Sequence, residues 1–145
     1  MFNWAVFIAV LTMVESGGND SAVGDLRLKH HAYGAAQIRL PYLRDVNRLC
    51  HEDVIRTFGR PLTEKDMFDP VKACWAVQRY VCYWGMAYSK ETGQQLDFET
   101  AARIHHAGPS GWRWWHISGR VYWKFRFQPE LQRYLEEREA KDGRP

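Results

Sequence analysis

The 145-residue chain has few cysteines, and their spacing limits how they can pair. The three thiols, Cys50, Cys74 and Cys82, cannot all pair with one another. On a single helix Cys74 and Cys82 would lie about 12 Å apart, which is too far for a disulfide. We therefore expect free thiols in a chain that folds in a reducing compartment, with a bridge from Cys50 as the alternative.

Long hydrophobic runs and a strong net charge are also lacking. The mostly apolar stretch over residues 2–14 is too short for a membrane span and has no basic flank, which argues against stable membrane insertion and against an export signal. The formal net charge of +3 suits an anionic polymer as partner but is too small to indicate a nucleic-acid-binding composition. No internal repeat or linker divides the chain, so residues 1–145 are expected to form one domain.

Aromatic residues, by contrast, make up 14% of the chain and include seven tryptophans. Many of them lie between residues 103 and 128, a segment that contains Arg and Lys but no acidic residue. Flat rings stack on both sugars and bases, so this segment is compatible with a glycan or a nucleic acid. Residues 121–127 alternate as in a strand but also have helical spacing, so both structures remain open.

Capping residues and apolar spacing predict a series of helices. The predicted elements are a buried helix over Phe2–Val14, a loop over Ser16–Leu28, a turn at Tyr33-Gly34, a helix over Pro41–Leu49, a capping box at Thr63 and Asp66, a long helix from Asp69-Pro70 to Gly93, a helix from Asp97 to Gly108, and a last helix from Pro129. The long helix is expected to be the spine of the core. Its predicted apolar stripe is Val71, Cys74, Trp75, Cys82 and Met86. The polar end of the last helix, residues 142–145, is expected to fray.

Glu15 directly follows fourteen mostly apolar residues and precedes Ser16 and two glycines. The ordinary interpretation is an exposed residue at the end of a core helix. However, a carboxylate in the last turn of a helix faces the negative end of the helix dipole, and apolar neighbours remove its hydration. Both effects favour the protonated acid, which is the form that a general acid needs.

Three stretches, in this order and at suitable spacing, resemble motifs of the lytic transglycosylase and goose-type lysozyme superfamily. They are ESGGN at 15–19, AYGAAQI at 32–38 and ARIHHAGPSGW at 102–112, and VYWKF at 121–125 resembles a Tyr-containing stretch of the same proteins. Each motif alone is weak, but together they span most of the chain. The resemblance implies a mainly α (α+β) lysozyme-like fold, a single compact helical domain with a glycan-binding groove.

The resemblance also implies roles for individual residues. Glu15 would be the catalytic acid, Gln37 would line the groove, and the Tyr122 hydroxyl would steady Glu15 or the substrate. His106 stands where many relatives have Asn, and we expect its ring to replace the hydrogen bond of that amide. The rest of the expected substrate-binding set is Ser16, His105, Gly108 and Trp112.

The reaction that the resemblance implies is cleavage of the β-1,4 bond between N-acetylmuramic acid and N-acetylglucosamine in peptidoglycan, with a 1,6-anhydro product and no cofactor. Glu15 would act first as acid and then as base. Most glycosidases employ two carboxyl groups, and the alternative is therefore a hydrolytic muramidase in which Asp20 or Asp25 positions a water molecule. More distant alternatives are a nucleic-acid-binding domain that uses residues 103–128 and an inactive glycan-binding module.

The paired histidines at 30–31 and 105–106 do not predict a metal site. Neighbouring side chains point in different directions, and no i,i+4 His pair or cysteine cluster would complete the ligand set. The small size and the absence of a visible export signal or wall-binding module favour a monomeric phage endolysin. Such an enzyme would be made in the cytoplasm and act on the wall of a Gram-negative host, although a virion-borne or bacterial wall-remodelling enzyme would share these motifs.

Overall fold

The computed structural model describes residues 1–143 and is mainly helical, with 66% of residues in helices. The elements in chain order are α1 (Trp4–Ser16), β1 (Val23–Gly24), β2 (Ala32–Tyr33), β3 (Ile38–Arg39), α2 (Leu40–Leu49), α3 (His51–Phe58), a 3-10 helix (Glu64–Phe68), α4 (Pro70–Thr92), α5 (Phe98–Ala107), α6 (Ile117–Tyr122), a π-helical turn (Trp123–Phe127) and α7 (Gln128–Asp142). They form one compact domain around a shared core, which confirms the coarse fold prediction. The part of the expected fray at residues 144–145 lies outside the described residues.

Helix α1 forms because a polar cap begins it and a glycine ends it. The Asn3 side chain accepts a hydrogen bond from the Val6 N–H, and Gly17 adopts the left-handed conformation with φ of 65°. One face of the helix is fully buried in the core and carries Val6, Phe7, Val10 and Leu11. The predicted helix is confirmed, and it extends far enough to include Glu15 in its last turn.

A small antiparallel sheet with the order β1-β2-β3 lies between α1 and α2. Tyr33 pairs with Val23 on one side and with Ile38 on the other. The turn predicted at Tyr33-Gly34 begins one residue later than expected, because Tyr33 ends β2 and residues 34–37 join β2 to β3. A Cβ on Gly34 would lie 1.8 Å from the Met67 carbonyl oxygen. The prediction of an uninterrupted loop over residues 16–28 was wrong, because it contains β1, whose two residues are too few to show a period.

Helix α4 begins and ends where the sequence predicts. The Asp69 side chain accepts from the Val71 and Lys72 N–H groups, and Gly93 ends the helix with φ of 72°. The predicted apolar stripe was wrong, since Val71 is 74% exposed and Met86 66% exposed. The buried face instead carries Ala73, Ala76, Val77, Tyr80, Val81, Gly85 and Tyr88. Small residues on this face allow α2 and α5 to approach closely. Because apolar residues occur all round the helix, the hydrophobic pattern of the sequence does not show which face is buried.

The remaining elements complete the wall opposite the sheet. The Asp97 side chain caps α5 by accepting from the Thr100 N–H, as predicted. The buried Arg103 guanidinium donates to the carbonyl oxygens of Gly111 and Arg113 and thereby holds the loop after α5 in place. Residues 121–127 are helical, so the strand alternative was wrong, because Tyr122 and Phe127 both turn into the core.

All three cysteines are free thiols in the structure, as the sequence predicts. The capping box at Thr63 and Asp66 is also present, and it begins the 3-10 helix. Across residues 1–143, no helix has both the length and the apolar character that crossing a membrane requires.

Candidate active site

An open cleft of about 620 Å³ lies between the small sheet, α2, α4, the end of α5 and α6. Seven of the residues singled out in the sequence line it, and they come from five separate stretches of the chain. These residues are Glu15, Asp25, Gln37, His105, His106, Gly108 and Tyr122. The cleft therefore collects residues of all three ordered motifs and of the later Tyr-containing stretch.

Glu15 lies in this cleft with only 17% of its side chain exposed. The Tyr122 hydroxyl donates a hydrogen bond of 2.5 Å to Glu15 Oε1. Burial raises the pKa of Glu15, while the Tyr122 hydrogen bond and the nearby charges of His106, Arg126 and Arg39 act in the opposite direction. Because burial is the largest effect, the site favours the protonated carboxyl group more than water does.

His105 is the second buried titratable group near Glu15, with its Nε2 3.9 Å from Glu15 Oε1. Its Nδ1 forms a hydrogen bond of 3.2 Å with the Tyr42 hydroxyl. The ring of Tyr42 stacks on that of Tyr80, with 3.7 Å between the ring centroids. Burial lowers the pKa of His105 to about 4. The imidazole is therefore neutral at neutral pH, and its contact with Glu15 is not an ion pair.

His106 lies at the mouth of the cleft, with its ring stacked on that of Tyr122. The ring centroids are 4.2 Å apart, and His106 Nε2 forms a hydrogen bond of 2.9 Å with Ser118 Oγ. Partial burial lowers the pKa of His106, although the Glu15 carboxylate works against this effect. Burial also raises the pKa of Tyr122 well above its ordinary value, so this phenol stays protonated and remains a donor to Glu15.

Gln37 combines the two roles that its sequence position allows. Its side-chain Nε2 donates to the Gly34 carbonyl oxygen at 2.9 Å and to that of Ala22 at 3.4 Å, so the amide stabilises the sheet. The same side chain lines the cleft. A Cβ on Gly24 would lie 2.1 Å from Gln37 Oε1, so the position of this amide requires a glycine in β1.

Two residues expected to bind substrate lie outside the cleft lining. Ser16 Oγ donates to the Ala35 carbonyl oxygen at 2.9 Å and so ties the end of α1 to the β2–β3 turn. Trp112 packs edge-on against Tyr88, and the Arg113 guanidinium lies 4.5 Å above its ring. Both residues therefore support the walls of the site rather than its surface.

Of the two aspartates considered for water positioning, Asp25 lines the cleft and Asp20 does not. Arg39 Nε donates to Asp25 Oδ2 at 2.6 Å, so this carboxylate has a cationic partner inside the cleft. Asp25 also has a positive φ of 56°. A third carboxyl group in the lining, besides those of Glu15 and Asp25, belongs to Asp45 of α2 and was not singled out in the sequence.

The sequence reasoning also missed several residues that shape the surroundings of Glu15. They are Arg39, Tyr42, Tyr80 and Arg126. Arg126 donates to the Val14 carbonyl oxygen at 2.9 Å, at the carboxyl end of the helix that carries Glu15. The basic character of residues 103–128 could have indicated Arg126, but no local pattern indicates the stacked tyrosines.

Within the part of the chain that the structure describes, no cluster of three or more His, Cys, Asp or Glu side chains is arranged to hold a metal ion. A comparison of the chain with models of known protein families finds no match, and a search of curated proteins finds no similar sequence. The functional interpretation therefore depends on the motifs and on the geometry of the cleft.

Proposed function

We propose that this protein is a peptidoglycan lytic transglycosylase with a lysozyme-like fold, and that the cleft around Glu15 is its glycan-binding groove. The observation that carries the proposal is the state of Glu15. This carboxyl group is mostly buried, has a raised pKa, and receives a hydrogen bond from Tyr122, a residue of another motif. Burial favours the protonated form that a general acid needs, and the hydrogen bond from Tyr122 holds the carboxyl group in position at the cleft.

The first chemical step uses the protonated form of Glu15. Its proton passes to the glycosidic oxygen as the bond between that oxygen and the anomeric carbon breaks, while the N-acetyl group of the substrate assists at the anomeric carbon. Glu15 is left as a carboxylate. The hydrogen bond from Tyr122 strengthens at this point, because a bond to a charged acceptor is stronger than one to a neutral acceptor.

The second step returns the proton to Glu15. The carboxylate takes the proton of the C6 hydroxyl of the same sugar, and the C6 oxygen attacks the anomeric carbon to close the 1,6-anhydro ring. No water is consumed and no second protein carboxylate is needed. His105 does not compete for the proton, because its pKa of about 4 keeps the imidazole neutral beside an acid whose pKa is raised.

His106 and Gln37 are the proposed groups for holding the glycan. His106 lies at the mouth of the cleft beside Tyr122, where its imidazole can hydrogen-bond to an N-acetyl group. Gln37 lines the cleft from the turn between β2 and β3. The position of Trp112 away from the cleft removes it from the proposed sugar-stacking groups.

A hydrolytic muramidase is the second candidate, and the location of Asp25 favours it. Asp25 lines the cleft that holds Glu15, so it could position water for attack on the anomeric carbon. Its ion pair with Arg39 holds the carboxylate in one orientation.

The fate of water distinguishes the two candidates. Purified peptidoglycan is digested in heavy-oxygen water, and the muropeptides are analysed by mass spectrometry, with Glu15→Gln as a nearly isosteric control. We expect 1,6-anhydro-N-acetylmuramic acid ends that carry no label, and no products from the control. Labelled reducing ends as the main product would assign the hydrolytic reaction instead. If the folded wild-type protein released no muropeptides, both enzyme candidates would be wrong.

A further inference from the structure

Helix α6 and the π-helical turn have two different faces. Tyr122 and Phe127 face inward and are buried. Ile117, Val121 and Phe125 recur every fourth residue on the outer side, and each is about half exposed or more. Trp114 and Trp115 precede them and are also exposed, so five large apolar side chains lie in water within twelve residues. Exposed apolar groups at this density mark an interaction surface.

Two cations accompany these apolar side chains. Arg120 and Lys124 are exposed, and neither forms an ion pair with any residue from 1 to 143. Lys124 Nζ lies 5.5 Å from the centre of the Phe125 ring. The chain has no acidic residue between positions 100 and 129, so nothing within this segment neutralises the two charges. The exposed side chains between Trp114 and Phe125, called here the basic apolar face, are therefore both apolar and positive.

We propose that the basic apolar face binds reversibly to the surface of a bilayer that contains anionic phospholipid. Exposed tryptophans and aliphatic side chains enter the boundary between headgroups and acyl chains, while Arg120 and Lys124 meet lipid phosphates. The side chains of this face are exposed, whereas Tyr122, which contacts Glu15, is buried. The inference thus concerns a second surface and goes beyond cleavage of a glycan.

The composition of the face favours lipid over two other occupants. A single-stranded nucleic acid would use cations and aromatic rings, but Ile117 and Val121 have no flat surface on which a base can stack. A second copy of this chain bound symmetrically would bring the same cations against each other, which is unfavourable. A bilayer surface uses the aliphatic, aromatic and cationic side chains together.

Vesicle binding tests the proposal directly. The full chain is mixed with vesicles of phosphatidylglycerol and phosphatidylcholine, or of phosphatidylcholine alone, and bound protein is measured by flotation. We expect binding to the anionic vesicles that weakens with salt. Removing both charges, in R120Q/K124Q, should lower the partition coefficient about 25-fold, at about fivefold for each cation. Removing the apolar groups, in I117S/V121S/F125S, should lower it more than tenfold.

Matched variants separate this surface from other causes. The variant V71S/M86S removes two equally exposed apolar side chains from α4, and we expect it to bind vesicles like the wild type. Glu15→Gln should also bind vesicles normally, which distinguishes failure of this proposal from failure of the proposed enzyme function. Circular dichroism verifies the fold of each variant. If the triple variant did not fold, R120Q/K124Q would still decide, because it changes only exposed charges.

Three results would overturn the proposal. The first is the absence of wild-type binding to anionic vesicles, or binding that neither set of substitutions reduces. The second is binding to a single-stranded oligonucleotide, lost in R120Q/K124Q, without binding to vesicles. The third is a dimer in sedimentation experiments that I117S/V121S/F125S abolishes, again without vesicle binding.

Discussion

Replacing Tyr122 by Phe tests the central contact of the site, because it removes one hydroxyl group and keeps the ring that stacks on His106. In the wild type this hydroxyl donates to Glu15 Oε1 at 2.5 Å. A hydrogen bond to a charged group contributes about 1.5–3 kcal/mol, and one between neutral groups about 0.5–1.5 kcal/mol. The loss of free energy of unfolding in Tyr122→Phe should therefore depend on whether Glu15 is ionised.

The direction of this pH dependence follows from the effect of the hydrogen bond on the pKa. The bond lowers the pKa of Glu15 relative to what burial alone would produce. Its contribution is therefore largest above that pKa and partly lost as the pH falls through it. We expect Tyr122→Phe to lower the free energy of unfolding by about 1.5–3 kcal/mol near pH 8 and by about 0.5–1.5 kcal/mol near pH 4.

Urea unfolding of four proteins provides the assay: the wild type, Tyr122→Phe, Glu15→Gln and the double variant. With Gln at position 15 there is no carboxyl group to titrate, so the effect of Tyr122→Phe should be small and independent of pH. In the wild-type background, Tyr122→Phe should also extend the activity on peptidoglycan to higher pH. Without the hydrogen bond the pKa of Glu15 rises further, so the carboxyl group keeps its proton to higher pH. An equal effect of Tyr122→Phe at both pH values in the wild-type background would refute this account of the contact.

Three further predictions concern the other groups of the cleft. Because the pKa of Glu15 is raised above 4.5, its ionised form destabilises the folded protein above that pH. In urea unfolding, Glu15→Gln should thus be more stable than the wild type at neutral pH and equally stable below pH 4.5. Its activity should be at least 10²-fold lower. The pKa of His105 falls from 6.5 to about 4 on folding. Thermal or urea unfolding should therefore show the free energy of unfolding decreasing, by at most about 3 kcal/mol, as the pH drops through that range. His105→Gln should remove this pH dependence. Gln37→Ala and His106→Ala should each reduce kcat/KM by an amount equivalent to about 1–3 kcal/mol while the domain stays folded; early melting with normal glycan binding would assign them a structural role only.

Much of the helical architecture is predictable because helix ends depend on residues within one turn. The caps at Asp69 and Asp97 and the stop at Gly93 all lie where the sequence places them. A capping side chain reaches only the backbone N–H groups two or three residues ahead, so its effect can be read locally. The same reasoning located the last turn of α1, which holds Glu15.

The orientation of helices could not be predicted in the same way. Helix α4 carries apolar side chains on all sides, and its buried face is the one with alanines and a glycine, where neighbouring helices approach closely. Residues 121–127 satisfy a strand period and a helical period equally well. Only the packing of Tyr122 and Phe127 into a single core selects the helix.

The candidate site, too, could be predicted only in part from the sequence. Ordered motifs in the sequence indicated Glu15, Gln37 and His106, and all three line one cleft. Ser16 and Trp112 belong to the same motifs, yet their side chains stabilise the walls, because direction is determined by neighbours that a motif does not contain. Motifs in the sequence can predict which residues lie in one region of the fold, but they do not predict the directions of the side chains.

The sequence by itself determines that a carboxyl group ends an apolar helix, with the helix dipole and apolar neighbours both favouring its protonated form. The protonation balance of Glu15 depends on more distant residues. Tyr122, which hydrogen-bonds to the carboxylate, is 107 positions away in the chain, and Arg39 and Arg126 lie on separate elements. Desolvation sums over every group that excludes water, and Coulomb interactions depend on distances through space. Both quantities exist only once α1, the sheet and α6 have packed together.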